Sequence, residues 1–306
     1  MIPILNFADF TGADRSRFVS ALGEACRGPG FLGLTGHGID PALIEETFAA
    51  SRTFFASPDA VKSSVAIENS THNRGYVAEK SETLDPASGK SDHKEAFNIG
   101  LDLAADDPRV VANEPFRGVN LWPQQDGFKD TLNGYFDAVL ELGVNLHRAV
   151  ALDLGLDEDH FTPHFSEPMA TLRLLHYPKA PQKAESLGAG AHTDYGALTL
   201  LRTDGVAGLQ VRKRGGGWID VPPIDDGFVL NIGDCLMRWT GGVYASTPHR
   251  VLPPQQERYS IAFFLDPNPE TEIATLPIEG AKTFPTVTAA DYLAERLAAT
   301  YGETTP

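Results

Sequence analysis

Apolar and polar positions along this chain change texture near residue 169. Before it, helical spacing dominates. After a short apolar run, "IPILNF" at 2–7, that suits a strand, "DRSRFVSALGEACRG" places Phe18, Leu22 and Ala25 on one helical face and ends at Gly28-Pro29-Gly30. "FLGLTGHG" reads as a second short strand, and from Pro41 a helix carries Leu43, Phe48, Phe54 and Phe55 and stops before Pro58. Residues 68–96 follow neither period and are rich in polar and turn residues, which predicts a long irregular loop of the kind that often serves function. Beyond Pro123 the positions Phe128, Leu132, Phe136, Val139, Leu140, Val144, Leu146 and Val150 predict a long amphipathic helix packed on a sheet.

From 169 onward the chain breaks into short β-type segments between Gly and Pro: "ATLRLLHYP", "GALTLLRT", "GLQVRK", "GWIDVPP", "GFVLNIGD", "LMRWTGG", "TPHRVLPP" and "RYSIAFFLDP". Closely spaced strands without helical crossovers predict a jelly roll or barrel rather than a parallel sheet. "TAADYLAERLAAT" (288–300) predicts a closing helix with Leu293 and Leu297 on one face. The fold class expected is therefore mixed α and β, a jelly-roll core backed by a long helix and preceded by N-terminal helices.

Composition narrows the functions available. With 306 residues, 42% of them hydrophobic, the chain can bury a large core. Its 25 basic and 41 acidic side chains leave a formal charge of −16, which opposes non-specific binding to nucleic acid or to anionic membrane. Cys26 and Cys235 are too few for a disulfide framework or a thiolate metal site, and no run reaches a membrane span or a leader pattern. The expectation is a cytoplasmic protein, monomeric or weakly homo-oligomeric, with no nucleic-acid or membrane partner.

The chemistry gathers in "GAGAHTDYGALTLL" (188–201). His192 and Asp194 are two apart at the start of a strand-like run, so their side chains can share one face. Such a pair alone is as readily chance as ligand. "STPHRV" adds His249 from a distant segment, and two imidazoles with one carboxylate make the facial triad of non-haem Fe(II) oxygenases, which leaves coordination positions open. "ERYSIAFF" then sets Arg258 and Ser260 two apart on one strand face, where they can grip a carboxylate, although a strand-edge ion pair would also account for the arginine.

Together H-T-D at 192–194, His249 in "STPHRV", R-x-S at 258–260 and "GFLGLTGHGI" near the start resemble the Fe(II)- and 2-oxoglutarate-dependent dioxygenases of the isopenicillin N synthase-like family over nearly the whole chain. "GAHTDYG" and "GDCLMRWTGGVYASTPHRV" are most similar to the bacterial branch that includes the ethylene-forming enzyme. The resemblance implies a double-stranded β-helix over 116–306, with a C-terminal helix, behind an N-terminal α/β region at 1–115, the two forming one compact unit. It implies His192, Asp194 and His249 as iron ligands. It implies Arg258 and Ser260 on the distal carboxylate of 2-oxoglutarate, and Tyr177 hydrogen-bonded to that co-substrate. Leu175 stands where the family often has an asparagine. Molecular oxygen is the third reactant, and retention of Asp194 favours hydroxylation, since related halogenases vacate that position.

For the primary substrate the candidates are Arg173, where the ethylene-forming branch has a substrate-binding arginine, Tyr195 after the metal aspartate, Glu82, Thr83, Phe97 and Trp239. Each of these could equally be packing or solvated surface. If Arg173 and Glu82 both face the pocket, a small amino-acid-like substrate is complementary. "GPGFLG" (28–33) matches a dinucleotide fingerprint only formally, since it follows a helix and precedes a strand. His160 and His164 flank Pro163 and read as a solvated pair. The rival functions are an oxidase that does without 2-oxoglutarate, a non-catalytic binding protein on the same fold, and a zinc hydrolase for which no general base stands out.

Overall fold

The computed structural model describes residues 2–85, 91–179 and 187–301. The first half holds β1 (Ile4–Asn6), α1 (Ala8–Thr11), α2 (Arg15–Arg27), β2 (Phe31–Thr35), α3 (Pro41–Phe55), α4 (Asp59–Ser64), β3 (Gly75–Val77), β4 (Glu95–Ile99), α5 (Pro108–Val111) and α6 (Phe128–Asp153). The second holds β5 (Thr171–Tyr177), β6 (Ala189–His192), β7 (Leu198–Thr203), β8 (Leu209–Arg212), β9 (Trp218–Asp220), β10 (Phe228–Ile232), α7 (Asp234–Trp239), β11 (His249–Val251), β12 (Arg258–Leu265), β13 (Glu272–Ile273), β14 (Val287–Thr288) and α8 (Ala289–Tyr301).

A large sheet in the order β1-β2-β10-β7-β12-β5-β4-β3 lies opposite a smaller one, β6-β11-β8-β9, as in a jelly roll. The central strands are antiparallel, with Ile261 of β12 opposite Leu174 of β5 and Arg202 of β7. Period-two alternation then sorts their side chains. Leu172, Leu174, Leu198, Leu200, Leu230, Ile232, Ile261, Phe263 and Leu265 belong to the core shared with the helices, whereas Leu175, Tyr177, Val229 and Ala262 belong to the core between the sheets.

The apolar face of α6 covers the first set, and Phe136 meets Phe263 edge-on with ring centroids 5.1 Å apart. Each aliphatic side chain this face fully buries, such as Leu132 or Val139, stabilises the layer by about 1.5–3 kcal/mol. The close approach depends on Gly143, where a Cβ would sit 2.6 Å from Leu265 Cδ2.

Two expectations are corrected. "LMRWTGG" is not a strand: its first residues belong to α7, which buries Cys235, Leu236 and Trp239. Its opening amides bond the chain after Asp194, with Asp234 N to Asp194 O at 2.7 Å and Cys235 N to Tyr195 O at 3.0 Å. The stretch 68–96 is not wholly irregular either. β3 forms there by pairing Tyr76 with Phe97 of β4, a tertiary partner that local periodicity does not reveal. Residues 86–90 of that stretch lie outside those described.

Candidate metal centre and its cavity

His192 ends β6, Asp194 follows in the turn into β7, and His249 opens β11 directly opposite His192 in the ladder. One ligand atom from each lies within 4.8 Å of the others. Asp194 Oδ1 is 3.6 Å from His192 Nε2 and 3.5 Å from His249 Nε2. Each histidine turns its other nitrogen to a carbonyl, His192 Nδ1 to Gly190 O at 2.8 Å and His249 Nδ1 to Thr247 O at 3.3 Å. Carbonyls only accept, so Nδ1 carries the proton in both rings and the Nε2 lone pairs face Asp194.

The second carboxylate oxygen is fixed from the opposite sheet. Asp194 Oδ2 accepts from Thr199 Oγ1 at 2.6 Å and from Asn231 Nδ2 at 2.7 Å. Burial raises the affinity of Asp194 for a proton, but the two imidazoles and these two donors outweigh it, and its pKa falls below the usual carboxylate value. Burial and the neighbouring His249 push His192 down to about 4, so its ring is neutral near pH 7. Two neutral imidazole nitrogens and a carboxylate oxygen are a donor set that suits Fe(II).

The triad opens into a cavity of about 170 Å³ between the sheets. Tyr177, Arg173, Glu82 and Tyr195, all singled out from the sequence, line it. Arg173 Nη2 and Glu82 Oε2 are 2.5 Å apart, and Lys94 Nζ lies 3.2 Å from the same Glu82 oxygen and 2.6 Å from Asp92 Oδ2. Asp92 also accepts from Gly190 N at 2.8 Å, which ties the segment ahead of β4 to β6.

Arg258 and Ser260 sit behind this cavity. Arg258 borders a smaller void whose wall shares Leu209 with the main one. It is 1% exposed, its guanidinium stacks 4.7 Å from the Tyr177 ring centre, Nε donates to Val206 O at 3.2 Å and Nη1 to Ser260 Oγ at 3.3 Å. Among the described residues no carboxylate pairs with it, which removes the strand-edge ion pair as its explanation.

Three of the substrate candidates are off the cavity wall. Phe97 packs in the helix-side core against Phe54 and Phe128, because it alternates out of phase with the inward-facing Ala96. Trp239 is buried on α7 against Phe161 and His164. Thr83 is half-buried beside Glu82 without reaching the cavity. The wall includes residues that the sequence reading missed: Asn73, Arg74 and Phe116, Thr171 and Phe264, Asp266, and Leu293 and Leu297 of α8. Thr171 and Phe264 follow from the inward phase of β5 and β12 once the metal face is fixed. The others depend on loop and helix docking, which leaves no local pattern.

Residues 2–125 match the family model described as "non-haem dioxygenase in morphine synthesis N-terminal", and 168–267 match "2OG-Fe(II) oxygenase superfamily". The chain is 36% identical over 287 residues to the 2-oxoglutarate-Fe(II) type oxidoreductase hxnY of Emericella nidulans, covering 90% of this chain and 82% of that one. It is 38% identical over 303 residues to the 2-oxoglutarate-dependent dioxygenase citB of Monascus ruber, covering 90% and 87%. Among solved structures, a full-length Neurospora crassa protein in complex with alpha-KG and thymine superposes with a TM-score of 0.85 at 34% identity, over 97% of this chain and 96% of that one.

Proposed function

This chain belongs to the 2OG-Fe(II) oxygenase superfamily, and from that premise we propose that His192, Asp194 and His249 hold its Fe(II), with Arg258, Ser260 and Tyr177 serving 2-oxoglutarate. The enzyme is a 2-oxoglutarate-dependent non-haem iron dioxygenase that acts on a small molecule. Bound Fe(II) supplies the coupling of oxygen to two oxidations: one oxygen atom goes into succinate as 2-oxoglutarate loses carbon dioxide, and the other into the substrate.

The observation that carries this reading is the convergence of two Nε2 lone pairs on Asp194 Oδ1 beside a cavity between the sheets. Thr199 and Asn231 hold the carboxylate so that one oxygen is presented and the other occupied. Arg258 offers a planar cation deep in the fold, to which the far carboxylate of a five-carbon diacid is complementary. Tyr177 stacks on that cation and reaches the cavity wall, so it aligns the clamp and bounds the co-substrate. The apolar walls, Leu175, Leu209 and Val251 with the partly buried Leu201, exclude water and position the target C–H bond.

Hydroxylation is the outcome that retention of Asp194 favours. The finer placement beside the ethylene-forming branch rests on "GAHTDYG" and on Arg173 and Tyr195 lining the cavity. Arg173 and Glu82 both line the cavity, as an amino-acid-like substrate requires, and such a substrate would compete with the ion pair they make with each other. Free, buried Cys26 and Cys235 accord with a reducing compartment, and no described helix is long and apolar enough to cross a membrane. The test is succinate release from 2-oxoglutarate in air, dependent on Fe(II) and lost in Asp194→Ala. Oxygen uptake with no succinate would instead establish the oxidase alternative.

A further inference from the structure

Among the described residues, two charged side chains of the cavity wall have neither a hydrogen bond nor an ion pair: Arg74 and the buried Asp266, whose carboxyl pKa burial and the nearby Asp194 push up to about 7. Arg173 and Lys94 share Glu82, and Lys94 has Asp92 as well. Arg74, just ahead of β3, is 2% exposed and lines the same cavity, yet among the described residues it has no hydrogen bond and no ion pair, and its Nε is buried without a partner. Its guanidinium lies against Gly100, where an added Cβ would fall 1.9 Å from Nη2 and 2.1 Å from Cζ. That close approach supplies no acceptor to the guanidinium.

The surroundings add positive charge. Burial and the nearby Arg117, itself 3% exposed and bonded to the Glu167 carbonyl, push Arg74 down to about 10. It remains a cation near pH 7. An uncompensated buried cation is costly, and proteins keep one where a ligand supplies the counter-charge.

We propose that Arg74 receives a carboxylate of the substrate that is oxidised, making the substrate class an organic acid distinct from 2-oxoglutarate. The assignment rests on reading this cavity as a dioxygenase substrate site. The two faces of the subsite differ in kind: the guanidinium edge offers parallel N–H donors, while Phe116, Phe264, Leu293 and Leu297 supply apolar wall for the rest of the molecule. Arg173, committed to Glu82, shapes the cavity beside it.

The experiment titrates phenylacetate, 4-phenylbutyrate and octanoate, each against its primary amide, into anaerobic full-length protein saturated with Fe(II) and 2-oxoglutarate, read by calorimetry and by Tm. At least one acid binds the wild type about tenfold more tightly than its amide. In Arg74→Gln the two bind within about twofold, and Arg74→Lys, which keeps the charge without the fork, retains part of the preference. A wild type on which no acid outbinds its amide overturns the proposal, as does an intact preference in Arg74→Gln. If Arg74→Gln does not fold, Arg74→Lys decides: full preference there shows that planar recognition by this residue is not used. Visible absorption on adding 2-oxoglutarate to the Fe(II) protein, followed separately in wild type and variants, reports the dioxygenase reading independently; its absence in the wild type sinks that reading, whatever the acid titrations show.

Discussion

At the residue scale, the carboxylate of Asp194, the proposed ligand, has a second oxygen with no freedom. Asn231 Nδ2 and Thr199 Oγ1 both point at Asp194 Oδ2. Replacing Asn231 with Leu leaves the triad intact but frees the carboxylate to rotate, and Fe(II) or Mn(II) affinity measured by equilibrium dialysis should fall about 10- to 100-fold. A second residue links stability to pH. His147 in α6 is fully buried against Phe165, donates from Nδ1 to Gly143 O at 2.8 Å and, among the described residues, has no partner on Nε2. Burial, partly opposed by that bond, pushes it down to about 4. The unfolded chain therefore takes up the proton first. Its contribution is whole above about pH 6.5 and is lost as pH falls through 4, a change of about 3 kcal/mol. Urea unfolding of wild type and His147→Leu at pH 7 and pH 4.5 checks this, since the variant should lose less stability on acidification.

The residues of the triad were legible because chemistry constrains their type and spacing. Arg74 and Asn231 were not. Nothing local distinguishes a guanidinium that lacks a counter-ion, or an amide that steadies a ligand across two sheets, from ordinary polar residues.

At the element scale, α7 decides whether the turn after Asp194 keeps its shape. Its amides take the carbonyls of Asp194, Tyr195 and Gly196, and Gly233 lies so close that a Cβ would stand 2.1 Å from Gly196 O. That contact is with backbone, which cannot swing aside. Gly233→Ala should cost about 2 kcal/mol or more in chemical denaturation and should weaken metal binding together with stability. Helices and strands with strong periodicity, α2, α3, α6 and most of β5 to β12, were readable from the sequence. α7 was not, since six residues between glycines carry too little periodicity to separate helix from strand. β3 escaped for another reason: three residues at a sheet edge owe their conformation to β4 rather than to their own pattern.

At the scale of the whole molecule, the site is assembled from both sheets. His192 and His249 come from the small sheet, and the groups that orient Asp194 come from the large one. Metal and co-substrate binding should therefore be felt by the cooperative unfolding of the jelly roll as a unit. At about 100 times their dissociation constants each adds roughly 2.7 kcal/mol, so Mn(II) with 2-oxoglutarate should raise Tm in calorimetry by several degrees and EDTA should reverse the rise.

The pairing of β2 with β10 also has a consequence for how the chain is made. Leu34 lies opposite Phe228, so β2 leaves the ribosome about 200 residues before its partner exists. At ordinary elongation rates that is roughly 10–40 s during which "FLGLT", buried along nearly its whole length in the finished protein, has an unpaired edge in a crowded cell. Burial of that edge has to wait for the translation of β10, whatever the stability of the finished fold.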